Sequence, residues 1–264
     1  MLLSSTEPVD VFARVVGFTL LWVAVRLVAS AFWAGHARPV SQGTKTVIVV
    51  HSGFQAFAAI WLVCYDPVVA PLVRAIAGGP ASLDLANANS PGVSLLATVA
   101  AGEFTCQLLH LPYWYEKPSD LLMVGHHLFS AAIWPIAVAA RRSHFFLANM
   151  LFYELSTPFM GLLHFFKGDG WKTTYAILGS LFTLAFVVAR LCTLPFSAYA
   201  MYLTWDTWAI ATPPAGSSLP RWILVLEKVA VPLPALLNVY WGRLVVVGYM
   251  KAVLGGKPKQ AKSA

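Results

Sequence analysis

Long apolar runs broken by short polar stretches recur from one end of the chain to the other. Each run is close to the roughly twenty residues that a helix needs to cross a bilayer core. They fall at Val9–Trp33, Thr44–Tyr65, Val93–Trp114, Ser119–Ala140, Phe145–Phe166, Trp171–Leu194 and Arg221–Tyr249. The pattern predicts an all-α fold, a polytopic membrane helical bundle of about seven transmembrane helices. Residues 1–43 read as an N-terminal transmembrane helix and its connection, 44–250 as the main domain of about six transmembrane helices, and 251–264 as a basic cytosolic tail. Asp66–Gly92 is the longest connection, and its DPVVAPLVRAIAGG portion reads as a short surface helix. The stretch Pro195–Pro220 is open between two readings: FSAYAMYLTWDTWAI extends the sixth span, or it runs along the interface, where Trp and Tyr are favoured. No internal repeat is visible.

Composition strengthens this picture. The chain is 58% hydrophobic and 11% charged, with a mean hydropathy of +0.69. A soluble domain carries about a quarter charged residues. The net charge of +7 does not suggest nucleic acid, because the basic residues are spread over loops and cluster only in the tail, Lys251 to Lys262. Cys64, Cys106 and Cys192 form no CxxC pair and read as small core residues, not as a disulfide or zinc framework. MLLSSTEPVD has no basic n-region and no clear cleavage site, so no removable signal peptide is expected. With the tail in the cytosol, seven spans place the N-terminus outside. Arg38, Lys45, Lys117, Lys167, Lys172 and the tail lysines are then cytosolic, as positive-inside counting asks, while the pair Arg141–Arg142 runs against it.

Ionisable groups inside a bilayer are expensive and usually face the bundle interior, so they mark where function should lie. The second span carries His51 and Gln55, four apart on one face. The third carries Glu103, Gln107 and His110, within about 60° of one another. The fourth carries Asp120 and His127, seven apart and on one face, while His126 is turned away by about 100° and lines up with Ser130. So the pair His126–His127 does not point at one spot, and His127 is the one expected to face a shared polar cavity. The fifth span carries FYELSTPF, with Glu154 four residues before Pro158. That proline removes the amide that would bond the Glu154 carbonyl, so a kink and a free acceptor are expected, with Ser156 and Thr157 at hand. His164 lies near the end of the same helix. Counted by depth, His51, His110, Asp120, His127 and His164 fall in one half and Glu103 and Glu154 near the middle, a pattern of one wet cavity. Arg14, Arg26, Arg190 and Arg243 lie toward span ends and are expected to snorkel, and the Trp residues are expected mostly in interfacial belts.

Three stretches in order, SDLLMVGHHLFSAAIWP, LFYELSTPFMGLLHFF and FVVARLCTLPF, resemble the TLC domain shared by ceramide synthases, translocation-associated membrane proteins and TLC-domain lipid-homeostasis proteins. The resemblance covers roughly Thr44 to Met250, with one extra N-terminal span. It implies a TLC-type barrel of helices around an internal lipid cavity, and residence in the endoplasmic reticulum or another endomembrane. In ceramide synthases the histidine pair and downstream aspartates serve acyl transfer from acyl-CoA to a sphingoid amine. Here only the pair and the preceding Asp carry over, onto His126, His127 and Asp120. The downstream aspartates are missing and Glu154 stands within ELSTPF instead, which resembles the non-synthase branch linked to membrane lipid composition.

Two functions follow as expectations. One is a protein of lipid homeostasis that binds, senses or modifies a membrane lipid or fatty-acyl chain in an intramembrane cavity. The other is an acyltransferase with acyl-CoA as co-substrate, in which His127 is general base or acyl acceptor with His126, Asp120 and Glu154 in support. His51, Glu103, Gln107, His110, Ser156, Thr157 and His164 are candidate ligand-binding residues in either case. No resident cofactor or metal is expected: the seven histidines include no repeated HxxHH boxes, and Glu154 and His164 lie too far apart along one helix to share an ion. Oligomeric state is not readable.

Overall fold

A computed structural model of the chain describes residues 7–78, 85–113, 121–167, 169–210 and 221–254. All secondary structure among the described residues is helical. The long helices are α1 (Pro8–Phe32), α2 (Pro39–Tyr65), α4 (Pro91–Leu109), α5 (Leu121–Ala139), α8 (Lys172–Phe186), α9 (Leu194–Ile210) and α11 (Pro232–Leu254). The shorter ones are α3 (Val69–Gly78), α6 (His144–Phe152), α7 (Thr157–Leu163) and α10 (Arg221–Ala230). Several begin on proline, whose missing N–H is not needed in a first turn and whose fixed φ suits a helix start.

Six helical stretches among the described residues are long and apolar enough to cross a membrane. The expectation of about seven differs only at the fifth span. There α6, a 3-10 turn (Tyr153–Ser156) and α7 make a broken run over 144–163, about 30 Å at the helical rise, but neither half is long enough alone. FSAYAMYLTWDTWAI extends the sixth span: α8 continues through a π turn (Val187–Leu191) into α9.

The packing is that of a membrane protein: the outer surface is apolar, and polar side chains are buried within a largely apolar core. Phe12, Leu20, Phe32, Phe57 and Tyr202 lie on the outer surface, while Arg14, His51, Gln55, Glu103 and Arg190 are buried. Helix α1 lies on α2 and α4, α4 lies on α5, and the broken helix lies along α2. Close approach depends on small residues. A Cβ on Gly102 would stand 2.6 Å from that of Phe18, and one on Gly161 2.6 Å from Val49 Cγ2. Trp22 of α1 donates to the Val99 carbonyl of α4 at 3.3 Å.

The connection after α2 is built into the bundle. Val69, Ala70 and Ile76 of α3 are buried, so this is no mere surface helix. Asp66 caps α3, accepting from the amides of Val68 and Val69 at 2.9 Å each. Its other oxygen accepts from Ser90 Oγ at 2.7 Å. Ser90 caps α4 through the Val93 amide at 3.1 Å, and its own amide donates to His144 Nδ1 at 2.9 Å. One network thus fixes the end of α2 and the starts of α3, α4 and α6.

One expectation is corrected: Cys106 is buried, but Cys64 and Cys192 are exposed. Trp22 and Trp134 belong to the interior, while Trp61, Trp171, Trp205 and Trp222 are exposed.

Candidate functional site

The broken fifth span builds the site. Pro158 has no amide to offer Glu154, and the helix answers by tightening: the Thr157 amide donates to the Glu154 carbonyl in 3-10 fashion. The expected free acceptor is therefore displaced by one residue. It is the Tyr153 carbonyl that loses its Thr157 partner, and it accepts instead from Arg190 Nε at 3.0 Å.

Arg190 reaches this point from the π turn, closed by the Cys192 amide on the Val187 carbonyl at 2.8 Å. Such turns recur at functional sites, because the added residue re-aims a side chain without ending the helix. Its Nε also faces Ser156 Oγ at 3.3 Å, Nη1 donates to Asn238 Oδ1 of α11 at 3.1 Å, and Nη2 to Thr157 Oγ1 at 3.4 Å. The guanidinium lies over the rings of Phe186 and Trp241, 5.2 and 5.8 Å from their centroids. Arg190 does not snorkel. It is 8% exposed, and Arg14 and Arg26 of α1 are buried as well. Arg26 sits 5.9 Å from the Tyr113 ring, while Arg243 is exposed.

Around Arg190 lies a small polar chamber. His126, Ser130 and Trp134 of α5 line one side, Met150, Tyr153 and Glu154 another, and Leu237, Asn238 and Trp241 of α11 a third. Glu154 is buried, and the Asn238 amide nitrogen is buried without a partner among the described residues. Beside this chamber lies an apolar one, walled by Phe129, Ile133, Phe146, Leu147 and Ile223. Trp134 and Met150 belong to both walls.

A second polar cluster lies across Phe104. His51 Nδ1 stands 3.6 Å from Glu103 Oε2. Gln55 donates to His51 Nε2 at 3.3 Å and to the Leu96 carbonyl at 3.4 Å, and Gln107 hydrogen-bonds Glu103. The Phe104 ring meets His51 at 6.3 Å, His126 at 5.7 Å, His127 at 5.2 Å and Trp134 at 5.4 Å. It partitions the two clusters.

The structure thus divides the expected single cavity. Glu154, Ser156 and Thr157 stand at or beside the polar chamber, and His51, Glu103 and Gln107 form the second cluster. His110 ends α4, its Nδ1 2.6 Å from the Cys106 carbonyl. His164 is exposed at the end of α7. Asp120 lies outside the described residues. The rotation between the two histidines is as the spacing gives it, but the cavity lies on the other side: His126 lines the chamber with Ser130, and His127 is buried against Phe104. Among the described residues no three His, Cys, Asp or Glu side chains gather to hold a metal.

Sequence reasoning missed Arg190, Asn238 and Tyr153 in the chamber, although FVVARLCTLPF places an arginine amid apolar residues. It also missed Arg142, which is fully buried at 0% exposure and pairs with Glu227 at 3.2 Å while hydrogen-bonding Asn87. Arg142 is a structural ion pair, so it does not count as a loop charge. Arg141 is exposed and stands 3.6 Å from Glu7, placing the start of α1 beside the α5–α6 turn at one end of the bundle.

Comparison with known proteins adds the family. Residues 41–247 match the family model of the TLC domain. The chain is 26% identical to Protein CLN8 of Mus musculus over 147 residues, 54% of this chain and 49% of that protein. It is 22% identical to TLC domain-containing protein 4-B of Xenopus laevis over 245 residues, 92% of this chain and 87% of that protein. The chain thus spans about half the length of the mouse relative and most of the frog one.

Proposed function

The chain belongs to the TLC domain family, and from that premise we propose that it serves membrane lipid homeostasis by holding a lipid or fatty-acyl chain inside the bundle. The carrying observation is the pair of adjoining chambers, one polar around Arg190, Glu154 and His126, the other apolar, sharing Trp134 and Met150. A lipid is itself a polar head joined to an apolar chain, and a concave apolar site with a few placed polar groups is the usual form of a ligand pocket. Residence in the endoplasmic reticulum or another endomembrane belongs to the same proposal and rests on family membership.

A second reading, acyl transfer, is favoured by one observation: His126 shares the polar chamber with Glu154. The imidazole would take the proton of an attacking hydroxyl or amine. The acyl group would pass from the thioester sulfur of acyl-CoA to that oxygen or nitrogen, and the thiolate would leave with the proton.

The deciding experiment is mass spectrometry of lipid retained by the purified protein. Ala230→Phe fills the apolar chamber and is expected to lower retained lipid about tenfold. Equal retention in wild type and variant overturns the assignment of the chain to this chamber. A covalent acyl adduct, lost in His126→Ala, decides for transfer.

A further inference from the structure

We propose that the polar chamber takes a zwitterionic lipid headgroup, a phosphate joined to an ammonium, with the phosphate on Arg190 and Asn238 and the ammonium on Glu154. This rests on the lipid-holding reading above and names the headgroup. Arg190 is a buried cation whose four hydrogen-bond partners among the described residues, the Tyr153 carbonyl, Ser156, Thr157 and Asn238, are all neutral. A guanidinium has five N–H donors, and no carboxylate among the described residues lies within 4.0 Å of this one. The buried Asn238 amide nitrogen on the same wall also has no partner among the described residues. Donors of this kind, planar and fixed, suit an oxyanion.

Glu154 decides the rest. It shares the chamber with Arg190 but does not pair with it. Opposite charges in a medium of low dielectric attract strongly, so Glu154 offsets part of the Arg190 charge across the chamber, but with no contact between them neither group has a charged hydrogen-bond partner among the described residues. Arg190 is held off by the Tyr153 carbonyl and Asn238, so it does not swing across. A lone anion, such as a fatty-acid carboxylate or a phosphate diester with a neutral head, would satisfy Arg190 and leave Glu154 facing a second negative charge. A diacylglycerol would satisfy neither. A phosphate and an ammonium a few bonds apart compensate both ends of the chamber and leave its total charge at zero. The ring of Trp134 on the same walls suits an ammonium as well. Phosphocholine and phosphoethanolamine heads share this chemistry.

The test is a competition. The full chain in detergent is equilibrated with equal amounts of phosphatidylcholine, phosphatidylethanolamine, phosphatidylglycerol, diacylglycerol and oleic acid, with matched chains on the glycerolipids, then repurified, and bound lipid is quantified. Wild type is expected to enrich one or both zwitterionic lipids about tenfold over the other three, and their ratio identifies which head is taken. Glu154→Gln, which keeps the volume, is expected to bring phosphatidylglycerol to parity. Arg190→Gln is expected to lose all phospholipid selection. Lipid retained in the proportions supplied, or a preference for phosphatidylglycerol or oleic acid, overturns the headgroup assignment and leaves the lipid-holding reading intact. No retained lipid overturns both. If a variant fails to fold, wild-type enrichment decides alone.

Discussion

At the residue scale, three side chains show what spacing reveals and what it leaves open. The periodicity of a helix separates His126 from His127 without any structure, but it does not say which side of α5 faces the chamber. That depends on α11, whose Trp241 meets His126 at 5.6 Å between centroids. His126→Ala is therefore expected to reduce lipid retention with little change in thermal stability. His127→Ala, packed on Phe104, is expected to do the reverse; the two variants compared by lipid mass spectrometry and thermal unfolding in detergent check this. Arg142 is the second case. Breaking a buried ion pair by removing one partner leaves the other charge uncompensated. Arg142→Ala is expected to destabilise by about 3–5 kcal/mol, while the double change Arg142→Met with Glu227→Leu recovers most of it. A double variant as unstable as the single one in thermal unfolding would show that the pair does not act as a unit. Arg190, in the midst of an apolar run, was legible as unusual. Its partners were not, because they come from α11 and from the 3-10 turn, far off in sequence.

At the element scale, the broken helix carries the argument. Pro158 was legible as a breaker, and so was the surplus acceptor beside it. The sequence did not show that a 3-10 turn would satisfy the Glu154 carbonyl and pass the vacancy to Tyr153. Pro158→Ala lets an amide return to Glu154, frees Thr157 for Tyr153, and competes with Arg190 for that carbonyl. The expected outcome is a several-fold loss of lipid retention with stability unchanged or raised, since the helix regains a bond. Loss of both together would point to general disruption. Helix contacts give a simpler test. Gly102→Ala puts a methyl against Phe18 and is expected to destabilise by about 1–3 kcal/mol. Gly179→Ala, with nothing within 4 Å of the added carbon, is expected to be neutral or stabilising by up to about 1 kcal/mol. Thermal unfolding of the two variants side by side decides whether close approach of α1 and α4 is what Gly102 serves.

At the scale of the whole molecule, the bundle differs from a soluble domain in its apolar outer surface and in the polar networks set within its apolar core. Helix α1 illustrates the consequence. Its inner face, Val11, Arg14, Thr19, Trp22 and Arg26, follows helical spacing and is buried. Trp22 meets the His51 ring at 5.0 Å and so covers the second polar cluster. Deleting residues 1–36 is expected to open that cluster to lipid and to lower folded yield sharply, measured as the monodisperse fraction after purification. A deletion with full yield would make α1 an appendage to the bundle.

Composition and run length were enough for the membrane class, the all-helical fold and the approximate number of crossings, because each is a local property: a span needs only enough consecutive apolar residues. The motif order was enough for the family resemblance, now matched over residues 41–247. Depth along each helix was also legible, since rise per residue is constant. The tertiary structure alone decided that the candidate residues fall into two clusters and not one, that Phe104 stands between them, and that Arg190 and Asn238 belong to the chamber. The physical reason is that a helix fixes the angle between its own residues but not its rotation against its neighbours. That rotation is set by packing, by Gly102 against Phe18 and Gly161 against Val49, and by buried polar pairs whose partners lie 24 to 85 residues away.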